Sequence, residues 1–190
     1  RIGKSYYNEE DYYMAGYYLG SYHTRFPFSP KAEESLFLSA MCSVKNSPDS
    51  SLDPNETELA INSLQLFVDR YPKSELVDSC NYWMDQLNFK LETKDFDAVK
   101  QYSKTENFRA ASVAAKSFLS QYPLSSFREE ALYLQTKNTC LLAKNSVESK
   151  KEERIEESKK TYSNFVAEFP DSKYMGELSR YVEQLTTEIE

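Results

Sequence analysis

The amino-acid sequence predicts an all-α fold built from repeated helical hairpins, and three observations support this prediction. Glycine, which many β-turns require, occurs only 4 times in 190 residues, well below its usual share of about 7%. The stretches 73–122 and 124–169 contain no proline, and a β-rich domain rarely runs so far without a breaker. An aromatic-Pro-x-Ser motif also occurs four times, beginning at Phe26, Tyr71, Tyr122 and Phe169.

Five positions upstream of each motif repeat with the spacing of a helix face. Their offsets are 0, 3, 7, 10 and 14 residues, which mark one side of a helix with 3.6 residues per turn. Since most of these positions are apolar or aromatic, each set predicts a buried stripe. The four stripes are Tyr12, Ala15, Leu19, Tyr22 and Phe26; Thr57, Ala60, Leu64, Phe67 and Tyr71; Phe108, Ala111, Ala115, Phe118 and Tyr122; and Ile155, Ser158, Tyr162, Phe165 and Phe169.

The motif itself predicts where each helix ends and where the next one begins. Proline disfavours a helical conformation in the residue before it, so the first helix of the hairpin, helix A, ends at the aromatic residue. The serine is then a candidate N-cap for a second helix, helix B. Ser29, followed by Pro30 at the first helical position, is the clearest case. The stretch 53–56 predicts a capping box at the start of the second helix A.

These signals predict a tetratricopeptide-like solenoid of about four repeats. The motif prolines lie 45, 51 and 47 residues apart, whereas a standard tetratricopeptide unit has about 34 residues, so the B helices or the connectors must be longer. The chain, 1–190, is predicted to be one solenoid domain, with 1–7 as the end of a helix from a preceding repeat. The predicted A helices are 9–26, 55–71, 106–122 and 152–169; the B helices are 30–45, 74–92 with an extension to 103, 125–144 and 173–188; and the repeat units are 9–45, 55–103, 106–144 and 152–188.

Composition and motifs argue against several classes of function. The net charge of −7 disfavours nucleic-acid binding, which needs a basic surface, and no apolar run is long enough to span a membrane. His23 is the only histidine, and no nucleophile or nucleotide-binding motif accompanies it, so a packing role is favoured over general-base catalysis. The sequence therefore predicts no enzyme, no cofactor and no metal site. The three cysteines are scattered and predict buried apolar side chains rather than disulfides: Cys42, Cys80 and Cys140.

Two further features concern the ends of the chain. It opens at Arg1 without an initiator methionine or a signal peptide, and we expect it to be part of a longer precursor. The run 148–160 mixes acidic and basic residues, which is typical of a solvated helix face.

Tyrosines mark the candidate binding site. Seven of the 15 tyrosines lie within the first 22 residues. Tyr13 and Tyr17 are four residues apart on the side of the first helix A opposite the buried stripe, and Tyr18 follows them. In tetratricopeptide arrays this side lines a concave groove, and rigid aromatic rings there suit an extended peptide. The alternative is that a preceding repeat covers these rings as core. The positions equivalent to 13 and 17 in later repeats are Glu58 and Asn62, Arg109 and Val113, and Glu156 and Lys160.

Two segments give the chain a resemblance to a known family. They are 90–98 (Lys-Leu-Glu-Thr-Lys-Asp-Phe-Asp-Ala) and 143–154, which leads through Tyr162 and Phe165 into 169–174. Together with the four motifs, these segments resemble the BamD, or ComL, family of outer-membrane lipoproteins. The resemblance extends from about Tyr6 to Tyr181.

The resemblance implies a non-enzymatic scaffold at the periplasmic face of the outer membrane, as part of the β-barrel assembly machinery. The C-terminal repeats would bind a POTRA domain of a BamA-like barrel protein, alongside other subunits of the machinery. The N-terminal repeats would receive unfolded outer-membrane proteins. The family has five repeats behind a lipidated cysteine, whereas this sequence has four repeats, a remnant and no lipobox, so membrane attachment is expected only through an anchor outside these residues.

Two other functions fit a helical-hairpin chain. One is a different envelope adaptor, such as a protein that coordinates cell-wall synthesis with envelope assembly. The other is a helical regulatory domain of a larger enzyme. A lipobox cysteine upstream of Arg1 would favour a lipoprotein or adaptor, and a catalytic domain beyond Glu190 would favour the enzyme.

Overall fold

The computed structural model describes residues 1–187, and every helix or strand element within them is an α-helix. Neighbours in the chain form antiparallel pairs that pack on one another, such as α2 with α3 and α6 with α7. The predicted all-α, tetratricopeptide-like fold class is therefore confirmed. The helices are α1 (Ile2–Asn8), α2 (Tyr12–Arg25), α3 (Ala32–Asn46), α4 (Asn55–Arg70), α5 (Val77–Lys104), α6 (Phe108–Gln121), α7 (Arg128–Lys144), α8 (Glu148–Glu168) and α9 (Met175–Thr187).

All four A helices end in the same way at the aromatic-proline step. The aromatic residue leaves the helical region, with φ and ψ of −133° and 59° at Phe26 and of −129° and 60° at Tyr71. Its N–H still donates to the carbonyl four residues earlier, as Tyr71 does to Phe67 at 2.8 Å. This is the restriction that proline imposes on the preceding residue, and it confirms the predicted ends of the A helices.

The serine of each motif does not cap helix B directly, which corrects the prediction. The Ser125 hydroxyl accepts the N–H of Phe127 at 2.9 Å, two residues on, and the Ser125 carbonyl accepts the N–H of Arg128 at 3.2 Å. These bonds form a tight turn, so helix B begins three residues after the serine. Pro30 accordingly lies in the turn before α3 rather than in its first position. Before α4, Asp53 accepts the N–H of Asn55 at 2.9 Å in place of the expected capping box.

Two helix starts lie later than predicted because the preceding helix ends in a left-handed residue. Glu10 and Glu106 have φ of 61° and 58°. The residue after each, Asp11 or Asn107, donates its N–H to a carbonyl five residues back, as in a Schellman motif. Asp11 and Asn107 then cap α2 and α6 with their side chains. Because α1 ends like α5, a B helix, α1 also resembles a B helix; that it belongs to a preceding repeat stays a prediction.

Other predicted bounds need small corrections. α8 begins at Glu148, four residues before the predicted start, directly after an extended residue at Val147. The predicted extension of the second helix B is confirmed, since α5 continues to Lys104. Residue 188, the predicted end of the last helix B, lies outside the described residues.

The chain forms two compact units, Arg1–Thr93 and Lys94–Glu190, and the boundary falls within α5. That the whole chain acts as a single domain stays a prediction. In the first unit, Phe67 is fully buried among residues of α3, α4 and α5, and its ring meets that of Phe37 at 5.6 Å. Lys90 of α5 donates to the carbonyl and the hydroxyl of Ser47 and to the carbonyl of Pro48, which fixes the connector between α3 and α4.

The second unit has its own aromatic core. Phe96 of α5 stacks on Phe127 with ring centroids 4.7 Å apart and contacts Phe118 at 5.3 Å. At the other end of this unit, Lys137 of α7 donates to Glu177 of α9 at 2.9 Å. Burial opposes the charge of Lys137, but its hydrogen bonds outweigh that effect and raise its pKa above the ordinary value.

The predicted stripes are the buried sides of the A helices, with one exception. In the last three hairpins the stripe residues are buried or half-buried. In the first, Ala15 and Leu19 are buried, but Phe26 is 51% exposed. Its ring contacts that of Tyr22 at 5.3 Å, and Tyr22 in turn lines a groove that residues of α1 and α3 also border. The prediction that Phe26 is a core residue is therefore wrong.

Phe67→Ala and Phe118→Ala are each expected to lower the free energy of unfolding by about 3–5 kcal/mol, because each removes a buried ring and leaves a cavity. Urea denaturation measures this change. The matched controls are Leu66→Ala and Val113→Ala, whose side chains are 57% and 62% exposed and which should stay within about 0.5 kcal/mol of wild type. A phenylalanine variant as stable as its control would show that the register of the stripe is wrong.

Candidate partner-binding site

The first helix A presents two tyrosines to solvent. Asp11 caps α2 by accepting the N–H of Met14 at 3.1 Å, and the helix that follows turns Ala15 and Leu19 inward. Tyr13 and Tyr17 lie on the opposite side and are 66% and 67% exposed. Their predicted position opposite the buried stripe is confirmed, and their role in binding a partner stays a prediction.

The equivalent side of the later A helices is exposed as well, but it carries different chemistry. All six equivalent positions are exposed, and among them only Val113 has an apolar side chain. Two exposed aromatic rings at these positions therefore distinguish α2 from α4, α6 and α8. The six residues are Glu58, Asn62, Arg109, Val113, Glu156 and Lys160.

Tyr18, the third predicted site residue, has a different environment. It is half-buried, and its ring stacks parallel to that of Tyr6 in α1, with centroids 5.5 Å apart and planes 2° apart. The edge of Tyr17 also meets the Tyr18 ring at 5.4 Å. Tyr18 thus links α1 to α2. Through these ring contacts, Tyr6 and Tyr18 extend the aromatic surface of Tyr13 and Tyr17 towards α1. We call Tyr6, Tyr13, Tyr17 and Tyr18 the tyrosine cluster.

The short helix α1 packs beside the exposed pair without covering it. Gly3 lies against Leu19 so closely that a Cβ on Gly3 would stand 2.8 Å from the Leu19 Cγ atom. Tyr7 meets Tyr12 edge to face at 5.6 Å. These contacts fall on the stripe side of α2, so residues 1–8 leave Tyr13 and Tyr17 exposed. The alternative that a preceding repeat covers the pair stays open.

A groove runs beside the tyrosine cluster. It has a volume of about 480 Å³, and Tyr18 and Tyr22 of α2 form its aromatic wall. The groove is also lined by three basic residues, Arg1, Lys4 and Lys31. Lys4 forms an ion pair with Glu34. The sequence did not predict this groove, because it depends on how α1 crosses α2. Met14, 37% exposed and one turn before Tyr17, is a further apolar contact that the sequence did not single out.

The histidine and the cysteines, the side chains most able to take part in catalysis, are packed against other side chains. Burial, and then the nearby Arg70, lower the pKa of His23 below its ordinary value, and its ring meets Tyr71 edge to face at 6.1 Å. Burial raises the pKa of the Cys42 and Cys140 thiols to about 11, so both are protonated at neutral pH and are poor nucleophiles.

Two further features of residues 1–187 concern metal ions and membranes. No group of three or more His, Cys, Asp or Glu side chains in this range could hold a metal ion. In the same range no helix combines the length and the apolar character that a membrane span requires.

Fold and site together define a helical-hairpin protein of the tetratricopeptide type with an aromatic surface at its first complete hairpin. The sequence matches the family YfiO, described as outer membrane lipoprotein, over residues 1–111 and 90–189. The chain belongs to this family, as its resemblance to the BamD family predicted. A relative from Caulobacter vibrioides, the outer membrane protein assembly factor BamD, is 28% identical over 108 residues. That alignment includes 57% of this chain but only 35% of the relative.

Proposed function

We propose that this chain is a non-enzymatic scaffold of the β-barrel assembly machinery at the periplasmic face of the outer membrane. It binds a POTRA domain of a BamA-like barrel protein and receives segments of unfolded outer-membrane proteins. Membership in a family of outer membrane lipoproteins, with similarity to an assembly factor, is the observation that carries this proposal. Attachment to the membrane uses a lipid anchor outside residues 1–190.

The tyrosine cluster supports the second of these roles. Tyr13 and Tyr17 together offer two exposed rings that have few rotamers to lose on binding. An unfolded outer-membrane protein presents extended segments rich in aromatic side chains, which can stack on such rings. Because the backbone of α2 is already ordered, the scaffold itself loses little entropy when the segment binds.

The C-terminal hairpin is the part that we assign to the barrel protein. The outward face of α8 is charged, with Glu152, Glu156 and Lys160 exposed. A face of this kind suits a folded domain with a polar surface better than it suits an apolar segment. The two ends of the chain would thus bind partners of different chemistry.

Tyr13→Ala with Tyr17→Ala is expected to weaken binding of a peptide from the aromatic C-terminus of an outer-membrane barrel protein by roughly tenfold or more. Each contact between a tyrosine and an aromatic ring of the peptide adds binding free energy beyond that of the apolar area it buries. Isothermal titration measures the affinity. The matched control is Glu58→Ala with Asn62→Ala, at the same repeat positions of α4, which should leave the affinity unchanged.

A thermal melt of the same double variant distinguishes tyrosines that form an exposed binding surface from tyrosines that a preceding repeat covers as core. Exposed rings predict a melting temperature close to that of wild type. A drop of many degrees in the full-length protein would mean that a preceding repeat packs on the rings, and unaltered peptide affinity in a stable variant would contradict the proposed site.

Deletion of residues 148–190, which removes α8 and α9, is expected to abolish capture of the BamA-like protein's periplasmic region. The deletion also removes Phe165 and Leu178 from the core of the second unit, so circular dichroism, which should show that the remaining helices persist, is the control for folding, and peptide binding through α2 is the control for the first unit. Pull-down with purified POTRA domains measures the effect. Undiminished capture by a truncated chain that still binds the peptide would show that the barrel protein binds elsewhere.

A further inference from the structure

The turn between α2 and α3 exposes two phenylalanines. Phe26 is 51% exposed and Phe28 is 93% exposed, although phenylalanine is among the residues most often buried. We call residues 25–31, Arg-Phe-Pro-Phe-Ser-Pro-Lys, the Phe turn. Its two rings protrude from the surface and are not part of the tyrosine cluster.

The three other turns of this type lack such a pair. The positions equivalent to Phe26 are half-buried against the cores of their own units, whereas Phe26 contacts chiefly Tyr22. The positions equivalent to Phe28 are Lys73, Leu124 and Asp171, of which only Leu124 is apolar, at 97% exposure. The repeat architecture itself therefore does not require the exposed phenylalanines.

Hydrogen bonds hold the backbone of the Phe turn in place. Ser29 donates its N–H to the Phe26 carbonyl at 3.0 Å and accepts the N–H of Ala32 at 2.9 Å with its own carbonyl. The Ser29 and Tyr22 hydroxyls lie 2.7 Å apart, which ties the turn to α2. Pro27 and Pro30 restrict the backbone further. The rings are thus presented by an ordered loop, and little entropy is lost when they bind.

The charged residues within the Phe turn are all positive, and the nearest acidic residues in the chain, Glu33 and Glu34, lie in the first turn of α3. Arg25 and Lys31 are the first and last residues of the Phe turn; both are exposed, and no acidic residue occurs within 25–31. The chain as a whole carries a net charge of −7, so this turn departs from the average surface. Exposed aromatic rings beside basic residues are typical of segments that bind the lipid–water interface.

We propose that the Phe turn contacts the surface of a phospholipid bilayer, with Phe26 and Phe28 entering at the level of the headgroups. Arg25 and Lys31 then meet anionic headgroups. The chain belongs to a family of outer membrane lipoproteins, and a lipid anchor would hold it near a bilayer. A second, weak contact with the bilayer is then favoured by the high effective concentration of lipid around the turn. Two protruding rings need a concave pocket on a protein partner, whereas a bilayer adapts to them.

Co-sedimentation with vesicles of phosphatidylethanolamine and a minority of phosphatidylglycerol tests this contact. Phe28→Ser is expected to lower the vesicle partition coefficient of the chain roughly tenfold, since one large apolar side chain no longer leaves water. The exposure of Phe28 means that the fold should be unaffected. The matched control is Leu124→Ser, which removes an equally exposed apolar residue from the same repeat position without basic neighbours, and which should leave partitioning unchanged.

A fluorescent reporter locates the contact. In a Trp83→Phe background, which removes the only tryptophan, Phe28→Trp should shift its emission to shorter wavelength on addition of vesicles. Lipids that carry a quencher should also reduce its emission. Leu124→Trp in the same background should show neither change. Arg25→Gln with Lys31→Gln should reduce the preference for vesicles that contain phosphatidylglycerol over vesicles of zwitterionic lipid.

Four results would overturn the proposal. They are a wild-type chain that does not bind vesicles, a Phe28→Ser variant that binds as wild type does, an equal loss in Leu124→Ser, or an unchanged lipid preference in the double glutamine variant. The proposed scaffold function is tested independently of the bilayer contact, because the two use different residues. Tyr13→Ala with Tyr17→Ala should keep vesicle binding, and Phe28→Ser should keep peptide binding.

Discussion

A proline forces the residue before it out of the helical conformation, and in each hairpin of this chain that residue is aromatic. The aromatic side chain stays with its helix while the backbone turns away, because its N–H still bonds to the carbonyl four residues earlier. In the last three hairpins this keeps the ring of Tyr71, Tyr122 or Phe169 against the core. The turn after each helix A, and with it the start of helix B three residues after the serine, follows from this step.

The same step determines which side of each helix A remains available for binding. Once Ala15 and Leu19 are buried, Tyr13 and Tyr17 must face the other way. In the first hairpin, Leu19 of α2 lies against Gly3 of α1. The Phe26 ring is 51% exposed, and Tyr22 lines a groove beside α1. Both proposed contact surfaces, the tyrosine cluster and the Phe turn, thus lie on the first hairpin.

Helical period and proline placement were enough to predict the fold class and most helix ends, since both act within a few residues of chain. The role of the motif serines was predicted wrongly, because a hydroxyl can accept an N–H two residues on as readily as it can cap a helix. The later starts of α2 and α6 had a signal in the sequence, Glu-Asp-Tyr at 10–12 and Glu-Asn-Phe at 106–108. The stacking of Tyr18 on Tyr6 could not be predicted, because it depends on where α1 lies; the exposure of Phe26 had no signal in the repeat pattern. Partners likewise come from the family and not from the residues alone.

Site-specific photocross-linking in cells that produce the full-length protein tests whether the tyrosine cluster binds outer-membrane barrel proteins. A photoreactive amino acid at position 17, on the tyrosine cluster, is compared with one at position 62, the equivalent position in α4. We expect cross-links to outer-membrane barrel proteins from position 17 and few or none from position 62. No cross-link from position 17, equal cross-linking from both positions, or a cross-link from position 17 to an upstream part of the same chain would contradict this expectation.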